Sequence, residues 1–190
     1  MDYTLLSLSD VRSQLEEITR EAQLAFGGLG GQQLNWRPDA TRWSVAQCLE
    51  HLVIGNGLMF RGMDDALTEA LPRSIWQRMP LLPRMFGKVM VRSQSPTAVG
   101  HYTAPSKAQP GTSTIGADIV QRFIDQHREA MTSVQALDER RAARTIMESP
   151  FVRVITYSVL DGWRIVVAHD WRHLQQARRV TLLPEFPSSA

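Results

Sequence analysis

Hydrophobic positions recur at helical spacing along most of this chain. Val11, Leu15, Ile18, Ala22 and Phe26 fall on one face of a first helix, predicted from about Ser9 to Phe26. Ser9 is the predicted N-cap, and Asp10 suits the positive end of the helix dipole. The glycine run 27–31 predicts its stop through a left-handed turn. Residues 34–39 read as a loop. Ser44-Val45-Ala46-Gln47 then reads as a capping box, with Trp43 and Cys48 placed for a hydrophobic staple. The helix it starts is predicted to run to about Ala70, with Pro72 closing it. Its stripe is Val45, Leu49, Leu52, Val53, Phe60, Met63 and Leu67, and His51 lies at the flank.

A third helix is predicted from about Ile115 to Leu137. Ile119, Phe123, Ala130, Val134 and Leu137 share one face, and His127 falls on that face. Ser149-Pro150 is a break. Phe151 to Thr156 is rich in β-branched residues, but no partner strand is evident, so it reads as the approach to a last helix. That helix is predicted from about Tyr157 to Leu183, with Val159, Trp163, Val166, Leu174 and Ala177 as its stripe. Pro184 ends it. Between the second and third helices, the stretch from Pro72 to Pro110 holds six prolines and is the least regular part. One or two short helices are expected there. An all-α four-helix bundle with a long irregular connection between helices 2 and 3 is the economical architecture.

At 190 residues the chain is expected to form a single domain, residues 1–190, with a sizeable core. Its net charge of +2 comes from interspersed acids and bases, unlike the concentrated basic face of a nucleic-acid binder. One cysteine excludes an intrachain disulfide and fits a reducing compartment. Cys48 faces the apolar stripe, which predicts an inert buried thiol. The N-terminus has no basic region followed by an apolar run, so no signal peptide is expected. No apolar stretch reaches the roughly 18 residues of a membrane span. These readings predict a cytoplasmic protein with no nucleic-acid or membrane partner. Basic and apolar residues alternate over 73–92, as in segments that touch a membrane surface or another helix, but prolines interrupt the pattern.

The chemistry centres on His169-Asp170-Trp171-Arg172-His173. Two histidines four residues apart on a helix stand on one face, with Cβ atoms roughly 5–6 Å apart. That spacing lets both reach one metal ion. With His51 from the second helix they make three neutral imidazoles and leave a fourth position open, the pattern of a catalytic zinc-type site. A surface-edge pair bonded to water is the plain alternative. Asp170 follows the first histidine where the zinc proteases carry glutamate, so protease activity is not expected. Asp170 falls inside the apolar stripe, where it must orient a ligand histidine, hold another polar group or pair with an arginine. His127 reads as a core histidine with one hydrogen bond, or as a metal ligand or acid/base group. Gly55 and Gly62 allow either close helix packing or an open pocket beside His51. No residue stands out as a catalytic acid, base or nucleophile. The five tryptophans read as core and edge packing.

Three stretches together resemble the DinB-like family of metal-binding four-helix bundles. They are Trp36-Arg37-Pro38 with residues 43–52, then Ser149-Pro150-Phe151, then His169 through Ala177. The resemblance implies an up-down-down-up bundle and a divalent ion, zinc or nickel, held at His51, His169 and His173. It also implies a homodimer and a small-molecule substrate, with a low-molecular-weight thiol used by relatives that catalyse transfer or isomerisation. Two functions therefore compete: a metal-dependent enzyme of nucleophilic transfer or hydrolysis, and a non-catalytic bundle with a structural or vestigial metal site. A helical interaction module built on residues 73–92 is a third.

Overall fold

The computed structural model describes residues 1–69, 74–78, 81–98 and 105–188. Four long helices dominate: α1 (Leu8–Phe26), α3 (Val45–Leu67), α6 (Ile119–Gln135) and α8 (Val159–Thr181). Short helices α2 (Gly31–Asn35), α4 (Ile75–Arg78), α5 (Leu82–Gln94) and α7 (Glu139–Arg144) join or flank them. The long helices pack as a ring, with α1 and α3 each lying against both α6 and α8. The predicted stripes are the surfaces that meet. Val11, Leu15, Ile18, Ala22 and Phe26 of α1 are all buried, as are Phe123 and Val134 of α6. The fold is all-α but for one small hairpin.

Residues 151–155 are the non-strand approach that the sequence suggests, but the hairpin corrects the reading at Thr156 and at Tyr157–Ser158, where helix was expected. Strand β1 (Ile146–Glu148) pairs antiparallel with β2 (Thr156–Ser158), Met147 opposite Tyr157. Each strand is only three residues long, too short for alternation to show in the sequence. Ser158 ends β2 and caps α8 by accepting from the Asp161 N–H at 3.0 Å, so α8 starts at Val159 rather than Tyr157.

Other boundaries also move. Ser7, not Ser9, caps α1, in a reciprocal box with Asp10. The helix stops at Phe26 as predicted, but Gly27 keeps a helical φ of −63°, so no left-handed glycine makes the stop. Helix α2 (Gly31–Asn35) takes in residues 34 and 35 of the expected 34–39 loop. The second long helix does begin in the Ser44–Gln47 capping box. It ends at Leu67, two residues before Glu69, whose φ of 53° carries the left-handed turn that glycine usually provides. The predicted end at Ala70 and the stop at Pro72 lie outside the described residues. The third long helix starts at Ile119 instead of Ile115. Ile115 is held as loop by Asn35, whose side-chain oxygen accepts from its N–H at 2.8 Å.

The irregular connection contributes α4 and α5. Helix α5 sits close on α8, where a Cβ at Gly87 would lie 2.4 Å from an Asp161 carboxylate oxygen. Its outer side leaves Leu81, Met85 and Val89 exposed. No helix among the described residues is long and apolar enough to cross a membrane.

Candidate metal centre

Helices α3 and α8 pack along their length, and this contact brings residue 51 to residues 169 and 173. One nitrogen from each of His51, His169 and His173 lies within 4.8 Å of the other two. The ring centroids are 5.1 Å apart for His51 and His169, 4.7 Å for His51 and His173, and 4.6 Å for His169 and His173. The His51 and His169 Nε2 atoms approach to 3.2 Å. The sequence placed all three histidines at one site, and the fold assembles them there.

Each ring is set by its surroundings. His51 Nδ1 meets the Ala108 carbonyl oxygen. An N–H there fixes the tautomer and leaves the Nε2 lone pair facing the other two rings. Ala108 belongs to the proline-rich connection, so that segment orients a site residue. His173 Nδ1 is buried and meets no hydrogen-bond partner among the described residues. Trp43 stacks on His173 with centroids 5.8 Å apart and also lies 4.9 Å from His51. Reading the tryptophans as packing missed this one. Its position next to the cap of the helix that carries His51 was the available signal.

Electrostatics keeps the three rings neutral. Burial pushes His51 below the usual histidine range. His169 is pushed well below it, first by burial and then by repulsion from His173, His51 and Arg172. Burial and the neighbouring His51 push His173 down to about 3, with Gln176 opposing weakly. Neutral imidazole is the form that binds metal. Two facing Nε2 atoms at 3.2 Å can share one proton between them or direct both lone pairs at one ion. Three imidazoles, one buried and two half-buried, with no carboxylate among them fit a borderline divalent cation.

His127 does not join this cluster. Its Nδ1 faces the Phe123 carbonyl at 2.9 Å and its Nε2 faces Asp170 Oδ2 at 2.9 Å, with both side chains fully buried. The second Asp170 oxygen accepts from the Asn56 amide at 2.9 Å. Asp170 therefore holds other polar groups, and neither orients a ligand histidine nor pairs with an arginine. His127 has two partners rather than the one expected.

The histidines open onto a cavity of about 1310 Å³. Gly55 lines it, and a Cβ there would meet nothing within 4 Å, whereas one at Gly62 would lie 3.1 Å from the Met147 methyl. Gly55 is thus the pocket glycine and Gly62 the packing one. Cys48 is buried away from the cavity wall, and burial pushes its thiol up to about 12. It is inert, as expected.

No curated protein and no solved structure matches the chain significantly. A family model described as the DinB superfamily matches residues 14–177, a span that takes in all three clustered histidines. By that match over most of its length, the chain belongs to the DinB superfamily.

Proposed function

We propose that this protein is a metal-dependent transferase or hydrolase, with His51, His169 and His173 holding one divalent ion, zinc or nickel. The observation that carries this reading is the convergence of three neutral imidazoles, His51 buried and His169 and His173 half-buried, at the wall of an open cavity. When bound, the ion would act as a Lewis acid that makes a coordinated water or thiol more acidic. A low-molecular-weight thiol is the proposed co-substrate.

The chain's own residues divide the remaining work. The Ala108 carbonyl holds the His51 ring, and Trp43 covers His51 and His173. Met59 and Tyr157 form an apolar part of the cavity, where the Tyr157 hydroxyl donates to the Met59 sulfur at 3.4 Å. Burial pushes that hydroxyl up to about 12, so it stays protonated. Among the described residues no carboxylate lines the cavity. A proton released from the nucleophile therefore passes to water or to the substrate itself.

A structural or vestigial site is the competing reading. A structural site is closed by a fourth protein ligand. Among the described residues the cluster has three members, and His127 is engaged by Asp170. This favours the open, catalytic arrangement. We also propose a cytoplasmic homodimer, in which a second copy covers the exposed Leu81, Met85 and Val89 of α5.

Metal analysis of the purified protein tests the proposal. About one ion per chain is expected for the wild type and near none for His169→Ala. Equal, negligible metal in both would remove its basis. With cobalt in the site, a small thiol should add a sulfur-to-metal absorption band. A spectrum indifferent to thiols would favour hydrolysis over thiol transfer.

A further inference from the structure

We infer that the cavity takes an organic anion, a carboxylate or phosphate ester, with its acidic group at an arginine-lined mouth and its carbon body against Met59 and Tyr157. This deepens the enzymatic reading of the same cavity and rests on it for the reaction, though not for the binding.

The chain carries 21 basic and 19 acidic residues, nearly balanced. The cavity wall does not share that balance. It includes Arg37, Arg42, Arg172 and Arg179, and no aspartate or glutamate among the described residues. Arg42 is matched by Asp39 at 2.7 Å. Arg172 is anchored by donating to the Ser93 carbonyl at 2.9 Å. Arg37 and Arg179 are exposed and have no ion-pair partner among the described residues.

Helix α8 presents Val166, then His169 and His173, then Gln176 and Arg179 to the cavity, with Val180 and Leu183 lining it beyond. The cationic Arg179 is thus set apart from the imidazole cluster and flanked by apolar side chains. Arg179 lies six residues past His173, about 9 Å along the helix axis. The acidic group and the reacting atom would therefore belong to different parts of one molecule. Guanidinium is the planar fork that recognises carboxylate and phosphate in bidentate fashion. A cation or a carboxylate-bound metal complex would meet only repulsion at this mouth.

Calorimetric titration of the full-length protein with hexanoate, hexyl phosphate and neutral hexanamide tests the inference. At least one of the two anions should bind about 10-fold or more tightly than the amide. Arg37→Gln with Arg179→Gln should abolish that preference and leave the metal content unchanged. Whichever anion binds better names the acidic group. The preference should survive removal of metal by a chelator, which separates this inference from the metal-site reading. Equal binding of anions and amide would overturn it. So would a preference that disappears with the metal but persists in the double variant, because the anion would then be binding the ion.

Discussion

Two histidine clusters lie side by side in this bundle, one fully buried and one at the cavity wall, and they meet the needs of their ring nitrogens in opposite ways. In the inner one, His127 has an oxygen acceptor at each ring nitrogen, and Asp170 has a donor at each oxygen. That cluster is complete in itself. In the cavity cluster, His51 and His169 direct nitrogens at each other, His173 Nδ1 has no hydrogen-bond partner among the described residues, and no carboxylate is a member. That cluster leaves ring nitrogens that a cation could use. Residues 169 and 170 are chain neighbours, yet α8 turns one toward the cavity and the other into the core. Burial therefore does not mark a functional histidine. What faces its nitrogens does.

The largest effect that would sharpen this contrast belongs to the inner cluster. Asp170→Ala leaves buried His127 and Asn56 groups without their acceptor and should cost about 1–3 kcal/mol of stability. Denaturant unfolding of the metal-free protein measures it. The folded fraction should still take up metal, since Asp170 touches none of the three site rings. Loss of metal binding without loss of stability would erase the distinction between the clusters.

A second effect is the pH dependence of the metal-free protein. The three cavity histidines are held below their ordinary value of 6.5, His173 at about 3. A depressed histidine takes up a proton more readily in the unfolded chain. Stability should therefore fall as pH drops below about 6.5, and keep falling toward about 3. Thermal melts should show this slope for the wild type and a shallower one for His51→Ala with His173→Ala. Identical slopes would mean that the rings are not held neutral.

The smallest effect concerns the two glycines. Gly55→Ala adds a methyl to empty space within a helix and should stabilise by about 0.5–1 kcal/mol. Gly55→Leu should leave the fold intact while narrowing the cavity near residue 55. Destabilisation by the alanine would show that residue 55 packs against a neighbour after all.

Much of this was readable beforehand because helical periodicity and imidazole spacing are local. The stripes of α1, α3, α6 and α8, the Ser44–Gln47 box and the His169/His173 pair each need only a few turns of chain. What stayed hidden depends on distant partners. The hairpin pairs Ile146–Glu148, which has little β character of its own, with Thr156–Ser158. The fate of Asp170 depends on His127, 43 residues earlier in the chain. The Ala108 carbonyl that sets His51 is backbone, to which residue identity gives no clue. Glu69 stops α3 by a conformation that its side chain does not announce.

X-ray absorption at the metal edge of the loaded protein tests the central claim most directly. The account predicts three imidazole nitrogens at about 2.0–2.1 Å with an exchangeable oxygen or sulfur as fourth neighbour, and loss of this pattern in His169→Ala. A spectrum without imidazole scattering, or one that the His169→Ala substitution leaves unchanged, would contradict it.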